Sequence, residues 1–112
     1  MPVEQQMIRT YAEFWSHYVR AHRHPVTRAL HFVGTSLAIL CLVAGLISPW
    51  WMLAAPVIGY GFAWAAHGWV EKNSPATFGH PIWSLLSDFR MFGLMCIGRM
   101  GDEMRRVERA NL

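Results

Sequence analysis

Six histidines are the residues of this chain best suited to chemistry, because imidazole is the commonest side-chain ligand for transition metals. They are His17, His22, His24, His31, His67 and His80. Two long apolar runs, residues 30–47 and 50–70, are joined by a Ser-Pro turn and should form antiparallel helices. His31 lies 18 residues before Pro49 and His67 lies 18 residues after it. At a rise of about 1.5 Å per residue, both should lie roughly 27 Å from the turn, side by side.

A preceding amphipathic helix, predicted for residues 4–23, adds a third histidine to this end of the hairpin. Its apolar side chains recur at three- and four-residue steps, and His22 lies on that face whereas His17 lies on the polar face. We therefore predict His22, His31 and His67 as metal ligands and expect His17 to face solvent. The apolar runs are long enough to cross a membrane, and a single histidine at a membrane border is more often a headgroup contact than a metal ligand. The convergence of three histidines is therefore what favours a metal site.

Further candidates lie close to these three histidines in the sequence. His80, in a loop predicted for residues 73–81, is the expected fourth ligand. Whether His24 is a ligand is left open. Glu71 follows His67 by four residues, on the same face of the predicted helix. We predict a catalytic role for Glu71, either by sharing the metal or by orienting an imidazole.

Imidazole ligands without thiolates suit iron, zinc or copper, and the ligand types alone do not discriminate among these metals. Cys41 and Cys96 show no metal-binding or redox spacing. A site at the membrane border, beside an apolar surface, is well placed for an acyl chain with a polar head. Arg28, Lys72 and Arg90 are the candidates to bind a substrate carboxylate, although each could instead anchor the chain at the membrane border.

Composition favours one small membrane domain. The chain has 112 residues, of which 54% are hydrophobic and 15% are charged. The two apolar runs contain no charged residue, which predicts transmembrane helices at residues 27–47 and 50–71 rather than buried core helices.

Positive charges flank the histidine end and none lies in the turn, so both termini should be cytoplasmic, as in a bacterial inner membrane protein. The arginines are interleaved with acids, which argues against nucleic-acid binding.

The predicted fold is therefore all-α, an integral membrane helical hairpin with an N-terminal amphipathic helix. A further helix is predicted for residues 82–100. It contains Asp88 and Arg90, and burying these charged side chains in a third transmembrane span would cost much free energy. We therefore expect an interfacial or re-entrant helix. Residues 101–112 are predicted to form a solvated tail.

Three segments also resemble a known family. Residues 22–35 (HRHPVTRALHFVGT), residues 59–78 (GYGFAWAAHGWVEKNSPATF) and residues 83–91 (WSLLSDFRM) resemble successive stretches of the 2-hydroxy fatty acid dioxygenases. The resemblance extends over most of residues 15–95. It implies an integral membrane enzyme that uses Fe²⁺ and O₂ to shorten a 2-hydroxy fatty acid by one carbon. The matched histidines are His22, His31 and His67, with Glu71 and Lys72 beside the last.

Two other hypotheses remain open at this point. In one, His31 and His67 are axial ligands of a haem at equal depth in the hairpin. In the other, the chain is a non-enzymatic membrane adaptor whose histidines are structural. The identity of the metal and the presence of a homo-oligomer are also left open.

Overall fold

The computed structural model describes residues 8–73 and 79–110, and within them it contains five α-helices, one π-helical segment and no strand. The elements are α1 (Tyr11–Arg20), α2 (Pro25–Ala44), α3 (Trp50–Ala65), the π segment (Ala66–Glu71), α4 (Pro81–Cys96) and α5 (Met100–Ala110). The all-α prediction is confirmed for this part of the chain. Parts of the predicted 4–23 helix, 73–81 loop and 101–112 tail lie outside the described residues.

The chain divides into two compact units. The hairpin unit comprises His24–Pro75, and the terminal unit comprises Met1–Arg23 together with Ala76–Leu112. The hairpin unit therefore contains α2, α3 and the π segment, and the terminal unit contains α1, α4 and α5.

Helix α2 forms the first half of the hairpin. Pro25 occupies its first turn, where the missing N–H costs nothing, and His24 is the N-cap residue, its Nδ1 accepting from the Val26 N–H at 3.1 Å. The helix has 20 residues, and in the described part of the chain it alone is long and apolar enough to cross a membrane. The predicted second span is not confirmed, because α3 ends after 16 residues where the π segment begins.

Small residues bring α2 and α3 into close contact. A Cβ atom added to Gly34 would lie 2.6 Å from Phe62 Cβ, so no larger residue fits between the helices there. Gly45 similarly packs against the Met52 side chain. Close backbone approach is typical of helices that pack in a membrane, where it replaces the hydrophobic driving force between them. At the turn end, Ile47 and Trp50 are 91% and 78% exposed.

The terminal unit has its own apolar core. The core residues are Phe14, Trp15, Tyr18 and Val19 from α1, Met91 from α4, and Met100 and Val107 from α5. Thr10 is the N-cap residue of helix α1, and its side chain accepts from the Glu13 N–H at 3.2 Å. Gly98, at φ +71°, ends α4 in the left-handed region, and the Arg99 N–H closes the turn on the Leu94 carbonyl at 2.8 Å.

Candidate metal centre

His31 and His67 meet inside the hairpin unit. His31 lies in the second turn of α2 and His67 lies at the start of the π segment. Their ring centroids are 5.3 Å apart in an edge-to-face arrangement, and the residues are only 5% and 2% exposed. The prediction that equal distances from the turn place these two rings side by side is confirmed.

Asn73 holds the His67 ring. The His67 Nδ1 and the Asn73 Oδ1 are 2.7 Å apart, and the Asn73 N–H donates to the His67 carbonyl at 2.9 Å. Because an amide oxygen only accepts, the His67 Nδ1 carries the hydrogen, and in the neutral ring Nε2 carries the lone pair. Sequence reasoning missed this residue and treated Asn73 only as the first position of a loop.

Glu71 contacts the start of α2. Its Oε1 accepts from the His24 N–H at 2.6 Å, which joins the end of the π segment to the helix N-terminus. A carboxylate at that position also interacts favourably with the positive end of the helix dipole. The structure therefore gives Glu71 a defined contact across the hairpin, and it gives the His24 ring a capping role.

His22 lies in the terminal unit and is fully buried. Its Nδ1 is 2.6 Å from the Tyr18 carbonyl oxygen, and its ring stacks on the Tyr18 ring at 4.1 Å between centroids. A carbonyl oxygen only accepts, so the His22 Nδ1 carries the hydrogen here too. His22 and His67 thus share one tautomer, with the lone pair on Nε2.

The three buried histidines His22, His31 and His67 form a group that could hold a metal ion, each offering one ring nitrogen. The hydrogen bonds at two of these rings fit that role, because a metal-bound histidine usually donates its other N–H to a carbonyl, carboxylate or water. Neutral nitrogen donors without thiolates suit iron, zinc or copper. Three protein ligands also leave coordination positions for a substrate.

His17 and His80 lie together elsewhere in the terminal unit. The His80 ring stacks on Trp83 at 5.0 Å and contacts the edge of Phe14 at 5.4 Å between centroids. His17 is half-buried rather than solvent-facing, and burial, helped by nearby His80, lowers its pKa. His80 as a fourth ligand remains a prediction.

The three predicted carboxylate-binding residues lie in different surroundings. Arg28 is half-buried on α2, and Lys72 is exposed just after the π segment, in the left-handed region at φ 58°. The Arg90 guanidinium lies over the Trp15 ring, 4.0 Å from its centroid, a cation–π contact within the terminal unit.

Asp88, which sequence reasoning placed at the membrane interface, lies inside the terminal unit. Tyr18 donates its hydroxyl hydrogen to Asp88 Oδ1 at 2.5 Å. Burial raises the pKa of Asp88 from 3.8 to about 6, despite the opposing effect of this hydrogen bond. Burial and the neighbouring carboxylate raise the pKa of Tyr18 well above its ordinary value, so the phenol stays protonated.

Replacing Asp88 by asparagine is expected to raise stability at neutral pH. The raised pKa means that the folded state binds the proton more tightly, so wild type loses stability as the pH rises from about 4 to about 6. The loss is on the order of 2–3 kcal/mol, and the amide, which still accepts from Tyr18, avoids it. Unfolding in detergent at pH 4, 5, 6 and 7 measures the difference between the two proteins. If the difference in unfolding free energy between the two proteins does not grow with pH over this range, the pKa of Asp88 is not raised.

The chain matches the model of one known protein family. The family model described as 2-hydroxy-palmitic acid dioxygenase Mpo1-like matches residues 8–100, a stretch that includes all three histidines of the buried group. No curated protein and no solved structure matches the chain. Because the match extends over most of the 112 residues, the chain belongs to the Mpo1-like family of 2-hydroxy-palmitic acid dioxygenases.

Proposed function

We propose that this protein is an iron-dependent dioxygenase that shortens 2-hydroxy fatty acids by one carbon at a membrane surface. The observation that carries the proposal is the buried group of His22, His31 and His67 in a chain of the Mpo1-like family. The family description names a dioxygenase of 2-hydroxy-palmitic acid, and the three histidines offer nitrogen ligands for a metal.

Among iron, zinc and copper, which imidazole ligands all suit, iron is the metal that the family resemblance implies. Zinc fits the same nitrogen ligands but has no redox chemistry, and a dioxygenase must activate O₂. When bound, iron supplies a redox-active Lewis acid for that purpose. The chain's own contribution is to present neutral imidazoles with fixed tautomers at His22 and His67. Haem is disfavoured, since the edge-to-face contact of His31 and His67 at 5.3 Å leaves no space for a macrocycle between them.

The substrate's head has two features that this site could recognise. Its carboxylate and its 2-hydroxyl lie on adjacent carbons and are suited to bind together to one metal ion. We propose that Arg28, Lys72 and Arg90 provide positive charge for the carboxylate. Glu71 is proposed to support the site by holding the π segment, which carries His67, against the N-terminus of α2.

We propose that the hairpin lies in the lipid bilayer and that its apolar surface meets the substrate's acyl chain. Helix α2 has 20 residues, and α3 continues into the π segment without a break in helical backbone, from Trp50 to Glu71. Both lengths suit the hydrocarbon thickness of a bilayer. Helix α4 is proposed to lie at the interface, since Ile82, Leu86 and Phe89 on one of its faces are exposed.

A cysteine placed at Ser48 is expected to react with a membrane-impermeant maleimide added to intact bacterial spheroplasts. The proposed topology puts the turn on the outer face and both termini in the cytoplasm. Cys41 and Cys96 are first replaced by serine, and a cysteine at Arg99 serves as the cytoplasmic control. Labelling at residue 48 only after lysis would overturn the topology.

The proposed activity is tested with purified, iron-loaded protein in detergent, supplied with 2-hydroxypalmitate and O₂. Mass spectrometry of the products is expected to find a fifteen-carbon product. If iron is bound and no chain-shortened product forms from 2-hydroxy acids of any length, the proposal fails. A Soret band in the purified protein would instead favour the haem-binding alternative.

A further inference from the structure

We propose that Asn73 is a positioning residue for the metal centre, which sets the tautomer and orientation of His67 through its side-chain amide. The inference rests on the proposed metal-binding role of His67. The contact that carries it is the 2.7 Å hydrogen bond between His67 Nδ1 and Asn73 Oδ1, beside a histidine that is 2% exposed.

The local backbone explains how Asn73 reaches a residue six positions earlier. In a regular α-helix two such residues are about 9 Å apart along the axis. Here the π segment widens the last turn, and Lys72 follows it in the left-handed region at φ 58° and ψ 43°. The N–H groups of Lys72 and Asn73 both donate to the His67 carbonyl. The chain therefore folds back over its own end, and the Asn73 side chain comes level with the His67 ring.

The hydrogen bond has a chemical consequence for His67. In free histidine the neutral ring mostly carries its hydrogen on Nε2, which would place the lone pair on Nδ1. An acceptor at Nδ1 reverses this preference and leaves the Nε2 lone pair for a metal. It also stops the ring from rotating about its bond to Cβ, so less freedom is lost when an ion binds.

The other ring with the same tautomer is held differently. His22 donates to the backbone carbonyl of Tyr18, which no substitution can remove without changing the fold. His67 instead depends on a side chain. Asn73 is therefore the position where the acceptor beside a proposed ligand can be deleted or strengthened by a single replacement.

Two replacements of Asn73 have different expected effects on metal affinity. Asn73→Ala deletes the acceptor but keeps the backbone N–H that bonds to the His67 carbonyl. It is expected to lower metal affinity by roughly 10–100-fold, the usual effect of losing such a partner. Asn73→Asp keeps an acceptor in the same place and makes it a stronger one. It is expected to bind metal at least as tightly as wild type.

The readouts are metal affinity, measured with Co²⁺ by visible absorption, and the His67 tautomer, measured by ¹⁵N NMR of the metal-free protein at pH 8. Wild type and Asn73→Asp should carry the hydrogen on Nδ1, and Asn73→Ala should shift it toward Nε2. Trp69→Phe, on an 82% exposed residue of the same π segment, is the control and should leave both readouts unchanged.

The outcomes separate this inference from the proposed function. An alanine variant with wild-type tautomer and affinity overturns the role of Asn73, as does an aspartate variant that is as weak as the alanine variant. If wild type binds no metal, the proposed function fails. The tautomer comparison in the metal-free protein then still decides whether Asn73 sets the His67 ring.

Discussion

Iron-loaded protein is expected to turn over 2-hydroxypalmitate with a kcat/KM on the order of 10,000-fold higher than palmitate, the usual discrimination of a site built around a substrate hydroxyl. The two acids have the same chain and carboxylate, so the proposed contacts with the apolar surface and the cationic residues are equal for both. Only the 2-hydroxy acid offers a second oxygen beside its carboxylate. Oxygen consumption and product analysis with both acids measure the ratio.

The position of the hydroxyl is tested by a matched substrate. 3-Hydroxypalmitate has the same atoms, with its hydroxyl one carbon farther from the carboxylate. It is expected to behave like palmitate, because its two oxygen groups no longer lie on adjacent carbons. Equal turnover of palmitate and 2-hydroxypalmitate would contradict recognition through the 2-hydroxyl, even if a chain-shortened product formed.

Replacing His22, His31 or His67 singly by alanine is expected to reduce this activity by more than about 100-fold, since loss even of an outer partner of a metal ligand costs roughly 10–100-fold. The helices should remain folded, because small residues such as Gly34 hold the hairpin together. Circular dichroism and thermal unfolding check the fold, and product analysis checks the activity.

His17→Ala is the matched control, because His17 lies with His80 and outside the buried group. It should keep near-wild-type activity. His80→Ala decides whether the predicted fourth ligand takes part, since a ligand would behave like the three buried histidines. Wild-type activity in any one of the three single variants would remove that residue from the proposed ligand set.

The pairing of His31 with His67 followed from sequence because it depends on local geometry alone. A short turn and a fixed helical rise determine which positions of two helices lie level. The predicted Ser-Pro turn is longer in the structure, where residues 45–49 join α2 to α3. The burial of His22 likewise followed from its spacing along the apolar face of the predicted 4–23 helix, although α1 ends at Arg20 and His22 lies just beyond it. The all-α class followed from two long uncharged apolar runs.

The contacts that support these histidines could not be derived in the same way. The Glu71–His24 and Tyr18–Asp88 hydrogen bonds join residues 47 and 70 positions apart, and no periodicity encodes them. Asn73 reaches His67 only because the helix widens into a π segment and then turns at a left-handed lysine. The same widening explains why the second apolar run, continuous in sequence, is not one α-helix.

Metal analysis of protein purified without oxygen shows whether the buried histidines hold the metal. Wild type is compared with the His31→Ala, His67→Ala double variant after the same iron loading and removal of excess metal. Wild type is expected to hold close to one iron ion per chain, and the double variant almost none. Equal iron content in the two proteins would contradict metal binding by these histidines.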